Sequence, residues 1–190
     1  MAGVDEVGRG CLAGPVFAAA VILNKNIDTK DIKDSKKLSF KKRILLSKYI
    51  KKNSIYALGI ATVEEINKIN ILNASLLSMR RALYKLKVKP SLACIDGPFA
   101  PTLNMKCKTI IKGDEKIISI AAASIIAKVS RDLFMIKLSF KYPKYSWHKN
   151  FGYGTKDHLY GLKKYGITKH HRKKFKPVYN ILFHQTRETQ

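Results

Sequence analysis

The order of apolar segments along the chain constrains the fold more than any other feature. Val4 lies in one short apolar run, residues 16–23 form a second, and a turn rich in glycine and proline joins them. Further runs typical of strands lie at residues 54–61, 91–95 and 107–111. Helical periodicity occupies the intervals, at residues 40–52, 62–69, 71–86 and 117–142. Early strands in hairpin connection, followed by helix–strand alternation, predict an α/β fold with a mixed sheet covered by helices.

The C-terminal part of the chain differs in composition from the rest. Beyond Pro143 it is polar, aromatic and basic, with short helices predicted at residues 155–165 and 177–184. The 190 residues suffice for one domain with an appendage. We therefore expect a main domain over residues 1–142 and a C-terminal segment, residues 143–190, that packs on it.

Basic residues dominate the charge of the chain. Lys and Arg number 37 and Asp and Glu 13, which gives a formal net charge of +24 at pH 7. A field of this sign favours an anionic partner, most often nucleic acid. Most of the basic residues are lysine, and a compositional bias toward lysine could account for part of the excess.

Membrane-bound, secreted and zinc-binding classes fit the sequence poorly. No apolar run approaches the ~20 residues of a membrane-spanning helix. The first residues lack the basic and apolar regions of a signal segment. Cys11, Cys94 and Cys107 are odd in number and scattered, without zinc or disulfide spacing. We expect a cytoplasmic protein in which all three cysteines are small, buried side chains.

Four of the few acidic residues stand at the ends of apolar strands. Asp5 and Glu6 lie in or at the end of the first strand. Asp96 ends a later strand, and Asp114 follows the next one. A carboxylate in such a position is costly unless it is paired or binds a cation. The pattern predicts a carboxylate cluster at one end of the sheet, although each acid could also be an isolated turn residue.

Clustered carboxylates repel one another, and a divalent cation relieves that repulsion. Oxygen-only ligands favour Mg²⁺ or Mn²⁺ over zinc. In a basic protein, such a site suggests cleavage of a phosphodiester by metal-activated water. Consecutive strand residues point to opposite faces, so Asp5 and Glu6 can share a metal only at a bend or at the edge of the strand.

The segment Gly8-Arg9-Gly10 follows the acidic pair directly. Glycines let a backbone approach a ligand closely, and exposed N–H groups can bind phosphate or sugar oxygens. Arg9 can hold a phosphate in bidentate fashion. A tight hairpin turn would explain the same glycines, so the residues alone leave both interpretations open.

The N-terminal residues carry a specific resemblance to a known family. Residues 3–16, Gly-Val-Asp-Glu-Val-Gly-Arg-Gly-Cys-Leu-Ala-Gly-Pro-Val, resemble the N-terminal signature of the ribonuclease HII family. Further segments match in the same order, at residues 34–38, 95–97, 112–114, 121–128, 131–132, 152–154, 171–172 and 175. The resemblance extends from residue 3 to about residue 178, which is nearly the whole chain.

The resemblance implies the ribonuclease H-like fold, a five-stranded mixed sheet flanked by helices, with a C-terminal helical appendage. The first three strands would be antiparallel, with Asp5 on the central strand, Asp96 on its neighbour and Asp114 after the next. Family members bind two divalent ions, Mg²⁺ or Mn²⁺, through four catalytic acids that match Asp5, Glu6, Asp96 and Asp114. The ions would activate the attacking water and stabilise the leaving 3′ oxygen.

The resemblance also implies a substrate. Gly8-Arg9-Gly10 match the family's sensor of the ribose 2′-OH, the group that distinguishes RNA from DNA. Tyr153 matches a tyrosine that stacks on the sugar of the following deoxynucleotide. Lys36 and Lys37 match a block for which phosphate contact is expected, or else they belong to a solvated loop. The implied reaction cleaves the RNA strand of RNA–DNA hybrids, and duplex DNA 5′ to single ribonucleotides, leaving 3′-OH and 5′-phosphate.

Several roles stay open. Ser124 and Lys128 lie four apart on one helix face, where phosphate contact, support of Asp114 or helix packing would fit. Asp132 is expected in a structural ion pair rather than at a metal. The basic run at residues 170–174 is expected to contact phosphates or to form a solvated face, and the histidines show no metal-ligand spacing.

Two alternatives compete with this function. A non-catalytic, basic nucleic-acid-binding protein would explain the charge, but it has no reason to collect four carboxylates facing a polyanion. A metal-dependent nuclease of the same fold could act on a different substrate. Residues 185–190 match no clamp-binding motif. We expect a monomer whose partners are RNA–DNA hybrids and ribonucleotide-containing duplex DNA, without a membrane.

Overall fold

The computed structural model describes residues 1–33 and 38–187, and its centre is a five-stranded sheet. The strands are β1 (Ala2–Val7), β2 (Val16–Leu23), β3 (Ser54–Ala61), β4 (Leu92–Asp96) and β5 (Lys106–Ile110). They lie in the order β3-β2-β1-β4-β5. β2 pairs antiparallel with β1 and β3, whereas β4 pairs parallel with β1 and β5. This mixed sheet, with three antiparallel strands first, confirms the predicted fold class.

Helices cover both faces of the sheet. The helices of the described residues are α1 (Lys30–Lys33), α2 (Phe40–Lys52), α3 (Val63–Tyr84), α4 (Gly113–Lys116), α5 (Ile118–Lys141), α6 (Trp147–Asn150), α7 (Lys156–Tyr165) and α8 (Lys176–Arg187). A 3₁₀ turn, Pro143–Tyr145, follows α5. α3 packs on the face that carries Val4, while α2 and α5 pack on the opposite face, which carries Ala19.

Local chemistry explains where the longer helices begin and bend. The Ser39 side chain accepts a hydrogen bond from the Lys42 N–H at the start of α2. At the start of α3, Thr62 and Glu65 form the predicted capping box. The separate helices predicted at residues 62–69 and 71–86 form one helix with a kink at Asn70, where φ is +66°.

The helix α5 lies unusually close to the central strand. Its alanines Ala121–Ala123 and Ala127 are buried against the sheet. A β-carbon at Gly3 would overlap the backbone of Ser119 in α5. Only glycine permits this approach, which brings side chains of α5 within reach of β1.

The C-terminal segment packs on the β1–β2 turn and on the end of α5. Leu12 and Met135 share one apolar cluster with Trp147, Leu162 and Val178 of that segment. This packing joins the two parts of the chain in a common core. The division at residue 142 itself stays a prediction.

The cysteines agree only in part with expectation. Cys11 and Cys94 are buried, but Cys107 is partly exposed, so the prediction that all three are buried was wrong. Cys107 lies on β5, which is an edge strand without a buried residue. Within the described ranges, no helix is both long and apolar enough to cross a membrane.

Candidate active site

The carboxyl ends of three parallel strands bring the predicted acids to one edge of the sheet. The β1–β4 ladder ends at the pair Val4 and Ile95, and Asp5 and Asp96 are the next residues on each strand. Asp114 lies in α4, directly beyond the end of β5. Parallel strands end at the same edge, where open α/β sheets bind their ligands. Asp5, Asp96 and Asp114 therefore lie at one end of the sheet, as the sequence predicts.

Asp5 occupies the most buried position at this edge. Its side chain is on the central strand, only 7% of the residue is exposed, and Oδ1 accepts a hydrogen bond from the Glu6 N–H at 2.7 Å. Burial raises the pKa of Asp5 to about 8, and the negative charges of Glu6 and Asp96 add to this effect. A hydrogen bond with the Ser124 side chain opposes the increase by favouring the ionised carboxylate.

The negative charge of Glu6 is compensated by Arg9, which lies three residues later in the chain. Arg9 Nη1 lies 3.2 Å from Glu6 Oε1 and forms an ion pair with it. Burial raises the pKa of Glu6, the charge and hydrogen bond of Arg9 lower it, and the charge of Asp96 raises it. The turn that contains Arg9 is therefore linked to the acidic edge by a side-chain contact as well as by the chain.

A hydrogen bond links the ends of β4 and β5. Asp96 Oδ1 accepts the Gly113 N–H at 2.6 Å. A β-carbon at Gly113 would lie 3.2 Å from that same oxygen, so a larger residue would crowd it. Because Asp114 follows Gly113 in the chain, this contact holds Asp114 beside the end of β4.

The acids share an edge, but their side chains do not converge on one point. Within residues 1–33 and 38–187, no three Asp, Glu, His or Cys side chains form a group that could hold a metal ion. Strand alternation explains part of this, because Asp5 faces α5 and Glu6 faces the opposite side. Mutual repulsion of the carboxylates acts in the same direction.

The donor chemistry nevertheless fits a hard divalent cation. The four acids offer only oxygen ligands, which Mg²⁺ and Mn²⁺ prefer. Asp5 is a buried carboxyl whose ionisation is opposed by burial and by two neighbouring acids. A cation would offset that cost. Asp5, Glu6, Asp96 and Asp114 are therefore the residues that could hold metal ions.

The Gly8-Arg9-Gly10 turn leaves β1 directly after the acidic pair. Gly8 has a φ of +96°, and a β-carbon there would overlap the side chain of Arg131. Both the backbone conformation and the close packing require glycine at this position. Arg9 and Gly10 are exposed, so the turn presents its outer surface to solvent.

Two buried arginines lie beneath the β1–β2 connection, and only Arg172 binds carbonyls of the Gly8-Arg9-Gly10 turn. Arg172 donates to the carbonyls of Gly8, Arg9 and Gly14, at 2.6 to 3.0 Å. Arg131 donates to the carbonyls of Ala13, Pro15 and Phe151, at 2.8 to 3.0 Å. Burial lowers the pKa of Arg172 to about 9, so the side chain stays charged at neutral pH.

These positions correct one prediction. Residues 170–174 were expected to contact phosphates or to form a solvated face, but His171 and Arg172 are fully buried. Arg172 donates to backbone carbonyls instead, and His171 Nδ1 accepts the Thr168 N–H. Lys173 and Lys174 are exposed and retain the expected surface position.

Tyr153 lies beside the turn. Its Cε1 atom is 4.0 Å from the position that a β-carbon of Gly10 would occupy. The residue is 39% exposed, and Lys128 Nζ is 5.9 Å from its ring centroid. Burial raises the pKa of the Tyr153 hydroxyl, and contact with the Cys11 thiol adds to this. The half-exposed ring is thus available to a ligand that binds the turn.

A buried imidazole pair anchors the backbone of Tyr153. His158 Nε2 accepts the Trp147 indole N–H at 3.0 Å, so the His158 proton lies on Nδ1, which is 2.8 Å from the Tyr153 carbonyl. His171 Nδ1 accepts the Thr168 N–H at 2.9 Å, and its Nε2 lies 3.1 Å from His158 Nε2. Both imidazoles are therefore neutral, with His171 donating to His158. The spacing of these histidines in the sequence does not reveal this pair.

The structure also assigns the open positions of α5. Ser124 supports Asp5 through a side-chain hydrogen bond. Lys128 Nζ is 2.9 Å from Asp132 Oδ1, which confirms the predicted ion pair of Asp132. Lys36 and Lys37 lie outside the described residues, so their phosphate contacts stay a prediction.

A mixed five-stranded sheet with acids at the carboxyl ends of its central strands defines a ribonuclease H-like protein. The family model for ribonuclease HII matches residues 2–178. The chain therefore belongs to the ribonuclease HII family. It is accordingly an endonuclease that hydrolyses phosphodiesters, and the non-catalytic alternative is set aside.

Individual relatives agree with this assignment. A protein named ribonuclease HII from Pelagibacter ubique (strain HTCC1062) is 62% identical over 183 residues, which cover 96% of this chain and 98% of the relative. The ribonuclease H2 structure from Pyrococcus horikoshii OT3 is 28% identical, with a TM-score of 0.81 and coverage of 96% and 97%. The ribonuclease HII structure from Archaeoglobus fulgidus, solved as a complex with PCNA, is 27% identical, with a TM-score of 0.77 and coverage of 95% for both chains.

Proposed function

We propose that this enzyme cleaves the RNA strand of RNA–DNA hybrids and cuts duplex DNA 5′ to single embedded ribonucleotides, leaving 3′-OH and 5′-phosphate ends. One observation carries the proposal beyond family membership. The Gly8-Arg9-Gly10 turn, in which Arg9 and Gly10 are exposed, lies close after Asp5 and Glu6 in the chain, and Arg9 contacts Glu6 at 3.2 Å. A ribose bound at this turn would therefore lie next to the acids.

The acids would hold the metal ions. Asp5, Glu6, Asp96 and Asp114 would bind two divalent ions, Mg²⁺ or Mn²⁺, which when bound supply activation of water and neutralise charge at the leaving 3′ oxygen. Ser124 favours the ionised form of Asp5 that such binding requires.

The turn would supply selectivity for ribose. In the described part of the chain, neither the Arg9 N–H nor the Gly10 N–H makes a hydrogen bond to another residue. Such donors can bind the oxygen of a 2′-OH, which DNA lacks. Tyr153, beside Gly10, would stack on the sugar of the following deoxynucleotide.

The basic surface would supply affinity that does not depend on sequence. The formal charge of +24 and the exposed lysines Lys173 and Lys174 favour contact with phosphates. We include Lys36 and Lys37 in this set, and we propose that residues 143–190 form a substrate-binding segment. The enzyme would act as a cytoplasmic monomer.

The test uses a labelled DNA duplex with one ribonucleotide, beside an all-DNA duplex of the same sequence. Incubation with Mg²⁺ or Mn²⁺ should give one cut 5′ to the ribonucleotide, which EDTA abolishes. Asp5→Asn and Asp96→Asn should abolish cleavage and retain binding, because the basic surface supplies affinity. Glu64→Gln, at an exposed acid in α3, away from the acidic edge and from residues 143–190, is the matched control and should cleave normally.

Three results would contradict the proposal. Cleavage by Asp5→Asn or Asp96→Asn, in preparations free of host nuclease, would remove the roles of these acids. Cutting of both duplexes would show that the 2′-OH is not recognised. Failure to cut either duplex with either metal, by protein shown to be folded, would refute the proposed reaction.

A further inference from the structure

We infer that Arg172 is a positioning residue for ribose selectivity, which it exerts by fixing the orientation of two peptide groups in the Gly8-Arg9-Gly10 turn. This inference rests on the proposed function, because it concerns how the turn presents its N–H groups to a 2′-OH. Arg172 would not touch the substrate. It is fully buried, and it acts through the backbone that it binds.

The contacts of Arg172 concentrate on this turn. Its Nη2 donates to the Gly8 carbonyl at 2.6 Å, and its Nη1 donates to the Arg9 carbonyl at 2.8 Å. Nε and Nη2 also donate to the Gly14 carbonyl, at 3.0 and 2.8 Å. All three guanidinium nitrogens therefore bind the β1–β2 connection, and two of them bind the two carbonyls that precede Gly10.

The geometry of the peptide group determines where the N–H groups of Arg9 and Gly10 point. In a planar trans peptide the C=O and N–H bonds point in opposite directions. When the Gly8 carbonyl points inward to Arg172, the Arg9 N–H points away from it. The same holds for the Arg9 carbonyl and the Gly10 N–H. Arg172 thus aims both N–H groups toward the exposed side of the turn, where they make no hydrogen bond to another described residue.

Arginine suits this role because of its shape. A guanidinium group is a rigid plane with donors in a fixed fork, whereas a lysine ammonium is a single point on a flexible stem. The Gly8 conformation, with φ of +96°, is open to glycine and would shift readily without such support. The guanidinium fork of Arg172 holds the carbonyls of Gly8 and Arg9 in one arrangement, although Arg172 lies 163 residues after Arg9 in the chain.

This arrangement predicts an effect on selectivity rather than on general affinity. Contacts with phosphates come from the basic surface and are the same for DNA and for ribonucleotide-containing DNA. Only the ribonucleotide duplex gains from correctly aimed N–H groups. Loosening the turn should therefore weaken binding of the ribonucleotide duplex and leave the all-DNA duplex unaffected.

The test compares Arg172→Lys with Arg131→Lys in the Mg²⁺-loaded enzyme. Arg131 is also fully buried and packs under Gly8, but its nitrogens bind the carbonyls of Ala13, Pro15 and Phe151. The assay would give kcat and KM on a single-ribonucleotide duplex, and Ki for the all-DNA duplex as a competitor. The ratio Ki/KM reports selectivity and does not depend on the fraction of enzyme that is folded.

Arg172→Lys should lower the ratio Ki/KM about tenfold, through KM, because about two hydrogen bonds to the ribose would be misaligned. Arg131→Lys should leave the ratio unchanged. If Arg172→Lys does not fold, Arg172→Gln, which keeps two N–H donors without the fork, provides the same comparison.

The outcomes separate two failures. A wild-type ratio near one would refute the proposed recognition of the 2′-OH itself. If the wild-type enzyme is selective and Arg172→Lys has the same Ki/KM ratio, the role of Arg172 alone would be overturned. An equal loss in Arg131→Lys would also overturn it, because general loosening under Gly8 would then explain the effect.

Discussion

Acid should destabilise this protein through His171. The imidazole is fully buried, its Nδ1 accepts hydrogen bonds from Thr168, and its Nε2 faces His158. Burial, followed by the charges of His158 and His170, lowers the pKa of His171 to about 3 from the usual 6.5. The folded protein therefore resists a proton that the unfolded chain accepts.

The sign and size of the pH effect on stability follow from the difference between the folded and unfolded pKa of His171. The stabilising contribution of neutral His171 is complete above the unfolded pKa of 6.5 and is lost progressively as pH falls toward 3. At pH 5, the unfolded imidazole is mostly protonated and the folded one is not. Each unit below the unfolded pKa costs about 1.4 kcal/mol, so His171 alone should remove about 2 kcal/mol of unfolding free energy by pH 5.

Urea unfolding at pH 7 and pH 5 measures this loss. Other groups also titrate in this range, so the comparison is between wild type and His171→Gln, which cannot take up the proton. The variant should be less stable at pH 7, but its loss between pH 7 and pH 5 should be smaller than that of wild type by about 2 kcal/mol. His148→Gln, at an exposed position, is the matched control for the loss of a histidine.

A difference below about 0.5 kcal/mol between wild type and His171→Gln would refute the reasoning, because it would fall within the range of ordinary surface effects. If His171→Gln does not fold, the ring protons of His171 in the wild type provide the test by NMR. They should not titrate between pH 7 and pH 5 in the folded protein. A midpoint near 6.5 would contradict the buried neutral pair.

Three further outcomes are expected. Gly8→Ala should lower the free energy of unfolding by about 1–3 kcal/mol more than Gly97→Ala does. Both glycines have a positive φ, but only Gly8 lacks space for a β-carbon. Equal losses in urea unfolding would contradict this. Tyr153→Ala should reduce selectivity for a ribonucleotide–DNA junction in cleavage assays, with little change in melting temperature, and unchanged selectivity would remove its stacking role. Ser124→Ala should raise the Mg²⁺ concentration for half-maximal cleavage, because the hydroxyl favours ionised Asp5; an unchanged Mg²⁺ titration would refute that support.

The sheet could be predicted because its determinants are local. Each strand is a short apolar run bounded by turn residues, and the predicted strand at residues 54–61 matches β3 residue for residue. Thr62 and Glu65 indicate the start of α3 through a contact that spans three residues. The short helices α1, α4 and α6 were missed, because four residues are too few to show a helical period.

The acidic edge could be placed, but not its detailed geometry. Strand ends locate Asp5, Asp96 and Asp114, since parallel strands end together. The alternation of side chains along β1 places Asp5 on the face of α5 and Glu6 on the opposite face. How closely the carboxylates approach depends on their mutual repulsion and on Ser124, which reaches Asp5 only because Gly3 lets α5 lie close to β1.

The buried contacts beneath the Gly8-Arg9-Gly10 turn and beside Tyr153 could not be predicted. A run of histidine, arginine and lysine is typical of an exposed basic surface, yet His171 and Arg172 are buried. Their partners lie far away along the chain, with Arg172 and Gly8 separated by 164 residues. Local patterns carry no information about such pairs, whose position depends on how the C-terminal segment packs.

That separation has a consequence for biosynthesis. The ribosome releases the acids of β1 and the Gly8-Arg9-Gly10 turn at the beginning of translation, and Arg172 emerges 163 residues after Arg9. At ordinary elongation rates this interval lasts roughly 8 to 33 seconds. Throughout that time the nascent chain carries its strongly acidic edge without the guanidinium that shapes the neighbouring turn. The positioning of the turn that we propose for Arg172 would therefore be completed late, when the chain is nearly finished.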